Sequence, residues 1–155
     1  MGRTYAITFE AVAVTAAQDL VSVLPATQKP IVLHAVYVSQ STELGDAAEE
    51  QLRIAIVRGN TTVGSGGGAF TPLPLSPNDA AAGATARIND TTPASAGTAV
   101  NMHVETFNVR AGWIYLPTPE CRIATKNAEF LCIRLLAAPA DSVTMGCTVL
   151  IEELI

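Results

Sequence analysis

Apolar and polar residues alternate with a period of two in run after run of this chain, and most runs stop at a proline or glycine. That period puts successive side chains on opposite faces of a strand. A chain built this way buries its apolar half by packing one sheet on another. Tyr5, Ile7 and Phe9 share a face, with Thr4, Ala6, Thr8 and Glu10 opposite. Val12 and Val14 continue with the parity switched, which predicts a bulge near Glu10–Ala11. Asp19–Leu24 stops at Pro25, and Ile31–Gln40 follows Pro30. In the latter, Ile31, Leu33, Ala35 and Tyr37 oppose Val32, His34, Val36 and Val38. Both sets are largely apolar, so the run is expected to be a central strand covered on both faces.

Further strands are expected at Gln51–Arg58, Ala99–Phe107, Trp113–Leu116, Phe130–Ala137 and Ser142–Glu152, the last two as a hairpin around Ala138–Asp141. Helical signals are confined to two places. Asp46–Glu50 reads as one turn with a capping box, and Ser76-Pro77 reads as a helix start. The pattern predicts an all-β, jelly-roll-like sandwich forming a single domain over residues 1–155, with at most one or two short helical turns. An immunoglobulin-like sandwich is the alternative, but Trp113 precedes all three cysteines, contrary to that fold's Cys…Trp…Cys order.

One stretch breaks the rhythm. Gly59–Thr98 is forty residues of mostly Gly, Pro, Ala, Ser and Thr, with Asp79, Arg87 and Asp90 as its charged residues. Structureless loops beyond about 12–15 residues are uncommon in compact domains. Gly64–Ala69 matches the G-x-G-x-x-G/A pattern of dinucleotide sites, but Pro72 and Pro74 follow it. They forbid the helix whose N-terminus would receive a phosphate. The stretch is therefore expected to be a long central crossing or arm, with short strand character at Ala84–Asn89. Contacts with neighbouring subunits are expected to order it, with Phe70, Leu73 and Leu75 as apolar anchors of a protein interface. On this reading, deleting Gly64–Leu75 leaves the sandwich folded.

Charge and chemistry narrow the function classes. Net charge is −5 and nine basic residues are scattered singly from Arg3 to Arg134, whereas nucleic-acid binders cluster Lys and Arg against phosphate. No nucleic acid is expected as a partner. No run approaches the ~20 apolar residues that span a bilayer, and the first twenty residues lack signal-peptide character, so a protein made in a cytoplasm with no membrane partner is expected. Charged residues are 15% of the chain against the usual quarter or so, a composition that suits a surface covered by other protein.

The odd set Cys121, Cys132 and Cys147 argues against a disulfide framework. Cys132 and Cys147 read as buried small hydrophobes, and Cys121, in a Pro-Glu-Cys-Arg turn, as the thiol open to reaction. His34 and His103 read as histidines satisfied within the sheet, since a metal site needs three or four ligands. Glu49/Glu50 and Glu152/Glu153 are adjacent pairs whose members point apart in a strand, and Ser65 lacks a nucleophile elbow. No catalytic residue, cofactor site or metal site is assigned.

Three stretches, YAITFEAVAVTAAQDL, GNTTVGSGGGAFTPLPLSPNDAAAGATA and RLLAAPADSVTMGCTVLIEEL, together resemble small virion proteins of tailed bacteriophages and related prophages over nearly the whole chain. Some members of that group look like capsid decoration (cement) proteins. The resemblance implies a non-enzymatic jelly-roll homotrimer that decorates and stabilises the head by binding between subunits of the phage major capsid protein. It implies a place on the capsid surface of the virion after synthesis in the host cytoplasm. The alternative is a host- or glycan-binding virion module, such as a head fibre or tail appendage domain, since one sandwich fold hosts both roles.

Overall fold

The computed structural model describes residues 2–42 and 49–154. Its strands are β1 (Arg3–Val14), β2 (Asp19–Leu24), β3 (Ile31–Gln40), β4 (Gln51–Asn60), β5 (Gly68–Phe70), β6 (Leu73–Pro74), β7 (Thr85–Asp90), β8 (Val100–Asn108), β9 (Trp113–Tyr115), β10 (Ala124–Thr125), β11 (Phe130–Leu135) and β12 (Val143–Glu153). Among the described residues, helix is limited to a 3-10 turn at Pro119–Cys121. The expected turn at Asp46–Glu50 lies mostly outside the described residues.

Strand pairing follows a nested scheme. β1 pairs with β12, β2 with β11, β3 with β9 and β4 with β8, all antiparallel. The chain is thus one long hairpin with Gly59–Thr98 at its tip. Rolling this hairpin up adds the pairings β3–β12 and β4–β11 and splits the strands into two sheets. One sheet runs β10-β3-β12-β1-β6, with β9 also on β3, and the other runs β5-β7-β2-β11-β4-β8. This is the jelly-roll form of the β-sandwich. Tyr5, Ile7, Leu20, Leu33, Ile54, Ile56, Leu131, Ile133, Val149 and Ile151 fill the space between the sheets.

The bulge in β1 falls where the parity switch places it. Register shifts between Phe9 and Val12, and Ala11 adopts a left-handed φ of 53°. A second bulge corrects the reading of β3. Leu33 faces Ile151 while Ala35 faces Leu150, which leaves His34 as the extra residue. Parity flips there, so Ile31 and Leu33 before the bulge and Val36 and Val38 after it enter the same core. Tyr37 is left exposed. Two apolar faces in the sequence are one apolar face in the fold.

The expected β11–β12 hairpin is also corrected. β11 pairs with β2 and β4, whereas β12 pairs with β1 and β3 in the other sheet. Residues 136–142 arch across the roughly 10 Å between stacked sheets. Alternation shows that each strand has an inward face, but a sandwich offers two sheets to which that face belongs. The helix expected after Ser76 is a single turn, closed by Asp79 N–H on Ser76 C=O at 3.0 Å. The alanines beyond it stay extended because their backbone is taken by tertiary partners: Tyr5 Oη donates to Ala80 C=O at 3.0 Å, and Glu153 accepts from Ala84 N–H at 2.8 Å.

Candidate protein interface

Residues 61–99 form an arm that is itself a hairpin. Thr62 bridges Ser95, Ser65 bridges Thr92, and β5 pairs with β7 from Gly68–Ile88 to Phe70–Ala86. The arm wraps one flank of the sandwich. β7 adds to the edge of β2, and β6 adds to the edge of β1 in the opposite sheet. The return limb covers the outer face of β4 and β11, where Ala94 packs with Ala55, Val57, Phe130 and Cys132. The expected ordering by neighbouring subunits is thus supplied within the chain.

Three buried carboxylates hold the arm, in a chain with little charge to place. Asp19, Asp90 and Glu153 are almost fully excluded from water, a position that needs paired charge and hydrogen bonds. Asp19 accepts from Ala94 N–H at 2.8 Å and from Arg134 Nε at 2.6 Å. Arg134 also donates to Asn60 Oδ1 at 3.1 Å and Ala94 C=O at 3.0 Å. Asp90 accepts from Gly67 N–H at 3.0 Å and from Arg87. Glu153 takes Gly83 N–H at 3.2 Å and Ala84 N–H at 2.8 Å, with Lys29 Nζ 3.8 Å away. Each acid satisfies arm backbone that would otherwise be orphaned in the protein.

Asp90 also explains the glycine run. The anion beside Gly64–Ala69 is the chain's own carboxylate. A Cβ on Gly67 would stand 2.0 Å from Ile88 C=O, so the glycines let two limbs close on each other. Ser65 exchanges backbone hydrogen bonds with Thr92 at 3.0 Å. The three residues singled out as anchors separate. Phe70 is half-buried against the chain's own core, whereas Leu73 and Leu75 are 53% and 56% exposed. Leu75 is fixed by its N–H on Thr4 C=O at 3.0 Å.

The remaining candidates lie apart. His34 Nε2 is 2.7 Å from Glu152 Oε2, whose other oxygen accepts from Gly2 N–H. Glu153, its neighbour, points inward to the arm. Glu49 Oε2 accepts from Asn108 Nδ2 at 3.3 Å. Cys147 is buried, and burial pushes its thiol up to about 12. Burial raises Cys132 as well, with Asp19 adding to the effect. Cys121 is exposed.

Sequence reasoning missed the opposite flank. There β8 ends one sheet, and Val100, Met102 and Val104 point into solvent while Phe107 points in. His103 and Glu105 sit on the core side of β8 and meet β9 of the other sheet. Glu105 Oε2 is 2.7 Å from both His103 Nε2 and Trp113 Nε1. Those two bonds, His103 first, hold the Glu105 carboxyl below its usual range. Tyr115 packs on His103 with ring centroids 4.6 Å apart, and burial raises its phenol, with Cys121 nearby. The i,i+2 spacing of His103 and Glu105 was the available signal. Among the described residues, no group of three or more His, Cys, Asp or Glu stands where it could hold a metal ion. No family model matches this chain, and no curated protein or solved structure matches it either.

Proposed function

We propose that this chain is a non-enzymatic structural protein of a tailed-bacteriophage head, a homotrimer that decorates and stabilises the capsid by seating between major capsid subunits. The observation that carries this reading is the arm tip. Leu73 and Leu75 stand in solvent on a segment bonded to both sheets. Exposed apolar patches mark interaction surfaces, and a segment already ordered loses little entropy on binding. The arm also belongs to the stretches that resemble virion proteins. A trimer would engage several capsid sites at once, so modest contacts sum to high avidity.

The test is co-sedimentation with undecorated heads, together with light scattering. Wild type is expected to bind heads and to contain a multiple of three subunits. Leu73→Asp/Leu75→Asp is expected to keep its stability within about 0.5 kcal/mol, as surface changes do, and to lose head binding by more than tenfold. Wild type that stays in the supernatant defeats the reading. A second reading, a glycan-binding virion module, is favoured by the gathering of His103, Glu105, Trp113 and Tyr115 on the other flank. A glycan array that gives a specific signal removed by Tyr115→Ala supports it.

A further inference from the structure

We propose that β8 pairs with β8 of a second copy of this chain, antiparallel, about a two-fold axis through Val104. β8 is the last strand of its sheet, so one side of its backbone has no ladder partner among the described residues. Long open edges are normally blunted with lysine, proline, a bulge, an inward charge or a cover of other chain. β8 reads VNMHVETFN, with no lysine, no proline and one formal charge, Glu105. Its bulge lies at Met102, between the pairs Val57–Asn101 and Ile56–His103, so the ladder from His103 onward is regular.

The strand is self-complementary in one register. Residues that face each other across a two-fold must point to the same side of the sheet, so the axis falls on a residue position. With the axis at Val104, His103 faces Glu105 of the partner subunit, Glu105 faces the partner's His103, and the two valines meet. With the axis at Glu105, two carboxylates oppose; at His103, two imidazoles do. At Met102 or Thr106, neither residue faces its complement. An imidazole directly across from a carboxylate shares a hydrogen bond with it, whereas two facing carboxylates repel. Glu105 Oε2 and His103 Nε2 are already engaged with each other, and Oε2 also with Trp113, in each chain, so the second carboxylate oxygen is the acceptor for Nδ1–H of the partner's His103. Val104 is 55% exposed and its contact with a second valine removes that surface from water.

The inference does not rest on the head-protein reading, and the experiment keeps the two apart. In a Cys121→Ser background, Val104→Cys is oxidised with copper phenanthroline and run on a non-reducing gel. A covalent dimer is expected, while Val100→Cys, off the axis, stays monomeric. In light scattering, unmodified chain is expected at two subunits, or six if it also forms trimers. Val104→Asp, on an exposed position, is expected to bring these to one or three. A Val104→Cys protein that does not cross-link, a Val100→Cys protein that cross-links as well, or unmodified chain at one or three subunits overturns the two-fold. The trimer is judged separately, by the factor of three.

Discussion

On one flank of the sandwich the arm takes up the edges of β2 and β1 with β7 and β6; on the other, β8 ends its sheet with no further ladder partner among the described residues. Both flanks show apolar side chains to water, Leu73 and Leu75 on one, Val100, Met102 and Val104 on the other. Their construction differs. The arm flank rests on buried ion pairs and backbone hydrogen bonds to single acids. The β8 flank rests on a carboxylate shared by an imidazole and an indole near the surface. An edge closed by the chain's own insertion is a matter of folding, whereas an edge left open is available to a partner.

The harshest way to break this contrast is to remove Gly64–Leu75. That deletion takes out β5, β6, Phe70 and the Gly67 bond to Asp90, so loss of a cooperative thermal transition is expected. A deletion variant that melts like wild type would return the arm to the status of an appendage. Asp19→Ala comes next. It leaves the mostly buried Arg134 without its counter-ion and frees Ala94 N–H, at a cost of about 3–5 kcal/mol in urea denaturation.

Thiol labelling sharpens the comparison at smaller amplitude. Cys132 lies under Ala94 of the arm and Cys147 lies in the central core. Opening the arm alone therefore uncovers one and not the other. In pulsed alkylation, Asp19→Asn is expected to speed Cys132 about tenfold more than Cys147, equivalent to about 1.4 kcal/mol of weakened anchoring. Equal acceleration of both would mean that arm and core open as one unit.

The smallest effect is on the β8 flank. Glu105 has a lowered pKa in the fold, so its contribution is present above the ordinary carboxylate value of 4.5 and is lost as pH falls through the lower folded value. Melting temperature in Glu105→Gln is expected to fall less than in wild type between pH 5 and the acid limit. A steeper fall in the variant would reverse the sign of the argument.

The strands were legible because alternation survives in a chain whose strands have one buried face. What alternation leaves open is which elements share a sheet, and whether both apolar faces are needed. The β11–β12 pair and β3 failed at these two points. The β8 face was ambiguous for the same reason, since Val104 and Phe107 have opposite parity and the register against β4, which sets Phe107 beside core Leu52 and Val104 beside Ala55, decides which is inside. The arm's anchors were harder still. Asp19, Asp90 and Glu153 stand at strand ends, where acids ordinarily meet water. Their burial is set by backbone N–H groups 75, 23 and 69 positions away in the chain. Leu73 and Leu75, expected as interface anchors, stand exposed. Phe70 could not be assigned to the core until Ala86 was known to lie beside it.

The nested pairing also sets an order in time. Phe70 and Ala86 are close in the chain and can meet early, but Arg3 pairs with Glu153 and Phe9 with Cys147. A ribosome adds residues at roughly 5–20 per second, so β1 emerges first and waits many seconds for β12. Sequence separation therefore favours folding from the middle of the chain outward to its two ends. Until the last strand is made, Ile7 and Phe9 lack the strand that pairs along them, with β6 reaching β1 only at Tyr5 and Ala6, and the nascent chain is at its most vulnerable to aggregation.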